Sequence, residues 1–273
     1  MRVPLVPRVT VVIPCRNDAD FLDACLTALA AQTHPADRVI VVDNGSTDAS
    51  AEVARRHYAT LLDEARVGVW PAAARGYDEA MGDADIIARL DADSRPHPDW
   101  IARLVRAFVS DPGLGVLTGG AEFYGGSALT NYLGERWYIG GGHYWVRKWL
   151  GVPLVFGSNF AMRSAVWRRV RDRVDRENGA IHDDLDLTIR LRPADGVRYD
   201  PQLLMPVSAR PLQTVSGLSR RVFKVATTFA ASWPEGASWR RREETTGSRA
   251  DAATTAADEW APDTDDWTPE FGR

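Results

Sequence analysis

Val9-Thr10-Val11-Val12-Ile13-Pro14-Cys15-Arg16-Asn17 is the stretch on which the fold turns. Five consecutive residues, four of them apolar and all β-branched, are too much for an edge strand, so the run reads as a strand buried on both faces and ended by Pro14. Asp18 to Ala31 follows with Phe21, Leu22, Cys25, Leu26 and Leu29 at helical spacing. Val39-Ile40-Val41-Val42 is a second buried strand, and Ser46-Thr47-Asp48 offers cap chemistry for a helix to about His57. A helix is expected over Pro71–Met81, a third strand over Asp85–Leu90, a helix over Pro98–Val109 and a further strand over Gly115–Thr118. Strands alternating with helices predict an α/β fold whose mostly parallel sheet is covered on both faces.

The 273 residues, 45% apolar and 26% charged, suit one large globular domain or two small ones and exclude collagen-like or wholly disordered chains. Among 33 basic residues only Lys148 and Lys224 are lysine, a bias expected of a GC-rich bacterial source. The net charge of −4 is concentrated near the end, where from Glu244 onward eight acids face Arg249 and Arg273. The body is close to neutral, unlike a nucleic-acid-binding domain. Cys15 and Cys25 are too few for a disulfide framework or a zinc site and suit a reducing cytosol. The N-terminal apolar run, broken by Pro4, Pro7 and Arg8, does not read as a signal peptide. No stretch approaches the ~20 apolar residues of a membrane helix.

Ligands of parallel α/β sheets sit beyond the carboxyl ends of the strands. That rule selects Pro14–Asn17, Asp43–Ser46 and Asp91–Ser94. Asp91-Ala92-Asp93 leaves its strand with two carboxylates able to converge on Mg²⁺ or Mn²⁺, which prefer oxygen ligands and keep positions for phosphates. Asp43-Asn44-Gly45-Ser46-Thr47-Asp48 reads as a turn and helix cap, with Asp43 able to accept hydrogen bonds from a base or ribose. Arg75, followed by Gly76, is placed to neutralise a phosphate or hold a base. His182-Asp183-Asp184-Leu185-Asp186 opens a helix with more acid than capping needs, which suits a general base. Between Ser127 and Phe156, Tyr132, Trp137, Tyr138, Tyr144, Trp145 and Trp149 crowd with Arg136, Arg147 and Lys148. Two readings stay open there: an insertion packed on the sheet, or an amphipathic surface for lipid headgroups or an apolar acceptor.

Taken in order, Val11–Asn17, Val41–Asp48, Ala74-Arg75-Gly76, Leu90–Asp93, Gly157-Ser158-Asn159 and Asp183–Leu191 resemble the motifs of family 2 glycosyltransferases over roughly residues 8–210. The resemblance implies a GT-A fold, a Rossmann-like sheet with a nucleotide-binding half at about 8–120 and an acceptor half at about 121–242; over 243–273 the turn to Thr, Ala, Asp, Glu and Pro, with little to bury, predicts a disordered tail. The resemblance also implies a nucleotide-sugar donor, with UDP the default nucleotide and GDP or dTDP left open. Transfer would invert the anomeric carbon. Pro14, Arg16, Asn17 and Asp43 would form the nucleotide pocket, with Arg75 reaching the nucleotide. Asp91 would face the ribose or donor sugar. Asp93, with Asp91, would hold a divalent cation, Mg²⁺ or Mn²⁺, on the diphosphate. Asp184 would be the catalytic base, with Asp183 where the family has Glu. Asn159 and Trp137 would meet the acceptor, a saccharide or lipid-linked glycan of the cell envelope.

Arg220-Arg221-Val222-Phe223-Lys224 is a degenerate form of the motif that marks processive polymerases, so transfer of a single sugar is expected. A cytoplasmic enzyme, resting at most on the inner face of the membrane, fits these features. The alternatives are a nucleotidyltransferase, against which stands the lack of a Gly-rich phosphate loop after the first strand, and a nucleotide-sugar-binding protein without activity.

Overall fold

The computed structural model describes residues 6–127, 141–210 and 215–232, with 141–145 and 215–222 as backbone alone. Trp137 and the 243–273 tail lie outside the described residues. The elements are β1 (Val9–Cys15), α1 (Ala19–Ala30), β2 (Arg38–Asp43), α2 (Ser50–Arg56), β3 (Thr60–Asp63), α3 (Val69–Ala80), β4 (Ile86–Arg89), α4 (Trp100–Ser110), β5 (Val116–Tyr124), α5 (Gly141–Leu150), β6 (Phe160–Arg163), α6 (Ser164–Val170), α7 (Asp183–Arg190), β7 (Val197–Ser208) and α8 (Val215–Ala231).

Among the described residues, seven strands form one sheet in the order β3-β2-β1-β4-β6-β5-β7. β1 pairs in parallel with both β2 and β4, and β6 runs antiparallel between β4 and β5. Every residue of β1 is buried because each face has its own helical cover. Val9, Val11 and Ile13 pack with residues of α1 and α4, whereas Val12 packs with those of α3 and with Trp167. β1 does not stop at Pro14 but continues to Cys15, in register with Val42 and Asp43 of β2. Pairing with β4 ends at Val12, so the N–H that Pro14 lacks removes no ladder bond on that side.

Helix α3 lies close enough to the sheet that a Cβ on Gly76 would collide with Val12 Cγ1 and sit 3.0 Å from Val42 Cγ2. At the other side of β4, Arg89 pairs with Phe160 of β6. The loop through Gly157, Ser158 and Asn159 therefore enters beside the β4 exit. Among the described residues, no helix is long and apolar enough to cross a membrane.

Candidate active site

The exits of β1 and β4 open into a cleft of two connected cavities. One, of about 440 Å³, is lined by Pro14, Cys15, Arg16, Asn44 and Arg210 among others. The other, of about 710 Å³, is lined by Trp70, Phe123, Phe156, His182, Asp183 and Asp184 among others. Gly68, Val69, Asp91, Asp93 and Lys224 line both, so the Asp91–Asp93 turn forms their shared wall.

Arg89 sits at the bottom of this wall with 3% of its side chain exposed. Its Nη2 donates to Asp91 Oδ1 at 2.9 Å, and its Nη1 donates to Asp183 Oδ2 at 2.7 Å and Asp184 Oδ1 at 3.4 Å. Asp91 accepts a second bond, 2.5 Å, from the Ser158 hydroxyl. Both Asp91 oxygens are thus engaged by protein donors. Across the same turn, Arg210 Nη2 lies 3.7 Å from Asp93 Oδ2.

The neighbouring aspartates of α7 titrate in opposite directions. Burial opposes ionisation of Asp183, yet the Arg89 guanidinium and His182 outweigh it and bring its pKa down to about 2. For Asp184, burial and the adjacent Asp183 charge hold the pKa well above the carboxylate range against the pull of Arg89. Asp186, the third acid of the cluster, is fully buried and structural: it accepts from Trp70 Nε1 at 3.0 Å, Asp175 N at 2.8 Å and Arg190 Nη2 at 3.0 Å. His182, Asp183 and Asp184 bring ligand-type atoms within 4.8 Å of one another, and the two aspartates already pair with the Arg89 guanidinium.

The structure brings Pro14, Arg16, Asp91, Asp93, Asp183 and Asp184 to this cleft. Others lie elsewhere. Asn17 has φ +53° and fastens two loops, its Oδ1 accepting from Thr47 N at 2.7 Å and its N–H donating to Ser46 Oγ at 3.0 Å. Asp43 closes its own turn by accepting from Ser46 N at 3.0 Å and lines neither cavity. Arg75 also lines neither and lies 3.9 Å from Glu79, one helical turn on. Asn159 corrects the expectation of an acceptor contact. It is fully buried, its Oδ1 accepting from Trp100 Nε1 at 2.9 Å and its Nδ2 donating to the carbonyls of Gly120 and Leu203 at 2.9 and 2.6 Å. It fastens α4, β5 and β7 together.

Sequence reasoning missed Arg89, Asn44, Ser158 and Lys224. An arginine inside Ile86-Ile87-Ala88-Arg89-Leu90 was the available signal, since a charge in a doubly buried strand needs carboxylate partners. Asn44 carries the loop between β3 and α3: its Nδ2 donates to the carbonyls of Glu64 and Arg66 at 2.8 and 2.7 Å, and its Oδ1 accepts from Gly68 N at 2.7 Å.

Residues 10–171 match the family described as Glycosyl transferase family 2. The chain belongs to that family. Glycosyltransferase AglE of Haloferax volcanii is 35% identical over 138 residues, 46% of this chain and 44% of that protein. Probable glycosyltransferase YdaM of Bacillus subtilis is 25% identical over 203 residues, covering 68% of this chain and 47% of its own length. The chain therefore spans about half the length of these curated relatives.

Among solved structures, glucosyl-3-phosphoglycerate synthase of Mycobacterium tuberculosis, in complex with Mn²⁺, UDP-glucose and phosphoglyceric acid, superposes with a TM-score of 0.60 at 18% identity, over 82% of this chain and 79% of that one. Mannosyltransferase PcManGT of Pyrobaculum calidifontis, in complex with GDP-Man and Mn²⁺, gives 0.55 at 19% identity, over 92% and 77%. At these identities the likeness carries the GT-A fold. Among its described residues, this family 2 member is built on one seven-stranded sheet.

Proposed function

We propose that the protein moves a single sugar from a nucleotide-sugar to an acceptor hydroxyl with inversion at the anomeric carbon. The observation that carries the reading is the shared Asp91–Asp93 wall, with a carboxyl of raised proton affinity, Asp184, on one side of it. The nucleotide occupies the cavity of Pro14, Arg16 and Asn44, and the acceptor enters the larger one. UDP is the proposed nucleotide, although solved neighbours are described with UDP-glucose or GDP-Man. A saccharide or lipid-linked acceptor, reached from the cytoplasmic side, completes the reading.

Asp184 takes the acceptor hydroxyl proton while the hydroxyl oxygen bonds to the anomeric carbon. The bond from that carbon to the diphosphate oxygen breaks, and its electron pair leaves with the nucleoside diphosphate. Burial and the neighbouring Asp183 charge raise the proton affinity of Asp184, which makes it a stronger base than the acidic Asp183. Asp93 supplies a hard oxygen on a strand-exit turn facing both cavities, the ligand type that Mg²⁺ or Mn²⁺ prefers. Bound there, the cation would offset charge developing on the diphosphate.

Calorimetry with UDP and GDP, with and without Mn²⁺, together with nucleoside diphosphate release from UDP-glucose and GDP-mannose, tests this. Asp93→Ala is expected to lose the metal-dependent part of nucleotide binding. Asp184→Asn is expected to keep binding and lose turnover by about 10²–10⁴-fold. Wild-type turnover in Asp184→Asn removes the base assignment, and tight binding without turnover by the unsubstituted protein favours a binding protein.

A further inference from the structure

Arg89 joins carboxylates from two distant parts of the chain. Asp91 lies at the β4 exit, whereas Asp183 and Asp184 open α7, and one guanidinium bridges them through two nitrogens. As a stabilising device the arrangement is poor. Taking an arginine and several carboxylates out of water costs more than a simple ion pair returns, and an apolar substitute is often no worse. The network is also incomplete, since the buried Arg89 Nε finds no acceptor of good geometry among the described residues.

The space around the cluster is shaped to hold it. A Cβ on Gly157 would collide with Asp184 Oδ1 and lie 3.0 Å from both Cζ and Nη1 of Arg89. The planar fork is also specific to arginine. Its two Nη groups point along fixed, separate directions, which a lysine ammonium on a flexible stem cannot reproduce.

We propose that Arg89 is a positioning residue for transfer: it fixes the separation between the donor-side carboxylate of Asp91 and the base-side pair Asp183 and Asp184. This role rests on the transferase reading above. Arg89 lines the larger cavity and not the one assigned to the nucleotide, which it meets only through Asp91, so nucleotide affinity should change far less than reaction geometry. Arg89→Lys keeps the charge and loses the fork. Gly157→Ala keeps every charge and presses the Arg89–Asp184 contact apart from outside, which provides a second test if Arg89→Lys does not fold.

The experiment measures Mn²⁺-dependent UDP and GDP binding by calorimetry, then kcat and KM for nucleoside diphosphate release from UDP-glucose and GDP-mannose. Rates are expressed per nucleotide-binding site. A misplacement near 1 Å lowers rate by about 100-fold, so kcat is expected to fall by that order while nucleotide Kd and donor KM stay near wild type. A purely structural Arg89 would reduce the number of binding sites and leave kcat per site unchanged, and that result overturns the proposal. Wild-type kcat in both variants overturns it as well. Absence of binding and turnover in the unsubstituted protein overturns the transferase reading, and this role with it.

Discussion

Asp184 is held where its negative charge is disfavoured, and stability should show it. Burial first, and then the charge of Asp183, raise its folded-state pKa above the unfolded carboxylate value near 3.9. The sign follows directly. The protonated form is favoured in the fold, so this group supports folding below its unfolded pKa and that support is lost as pH rises through the folded pKa. Asp184→Asn removes the penalty and leaves Arg89 paired with Asp91 and Asp183. Its Tm should equal wild type near pH 4 and exceed it at neutral pH, by about 2–4 °C for each kcal/mol recovered in a domain of this size. Thermal denaturation at several pH values checks it, and a neutral-pH Tm below wild type contradicts the account. The sequence showed the aspartate pair but not which member keeps its proton, because the deciding group, Arg89, is contributed by a strand more than ninety residues away.

Helix α3 shows how one motif divides between chemistry and packing. Arg75-Gly76 read as a nucleotide contact, yet Arg75 lines neither cavity while Gly76 lets the helix settle against Val12 and Val42. Gly76→Ala should therefore destabilise the fold by about 1–3 kcal/mol through overpacking, read as a lower urea midpoint. An unchanged midpoint would mean that α3 can shift outward without loss. The strands most legible in the sequence were those buried on both faces: β1, β2 and β4 are nearly continuous apolar runs, while the expected Gly115–Thr118 strand marks only the start of β5. β3 is a four-residue edge strand of half-exposed residues, β6 is short and antiparallel, and the first half of β7 is largely exposed. None of the three offers a run or an alternation that stands out from a loop. Asn159 was misread for a related reason. A polar residue in the loop that enters β6 beside the β4 exit looks available for a ligand until Trp100, Gly120 and Leu203 close around it.

At the scale of the molecule, the cleft lies where β1 and β4 end side by side, and its lining is drawn from both halves of the sheet. Nucleotide binding should then stabilise the whole domain, since the ligand binds an arrangement that the unfolded chain lacks. A ligand at about 100 times its Kd adds about 2.7 kcal/mol. At about 2–4 °C per kcal/mol, UDP or GDP with Mn²⁺ should raise Tm by about 5–10 °C. The pattern across variants is more informative than the size of the shift. Asp184→Asn should show the full ligand shift on its own baseline, because Asp184 lines only the larger cavity. Asp93→Ala should show little metal-dependent shift, because Asp93 borders both cavities and is the carboxylate proposed for the cation. An equal shift with and without Mn²⁺ in the wild type would instead assign the diphosphate to the chain's own cations at that junction, Lys224 and Arg210, which line the smaller cavity with Asp93.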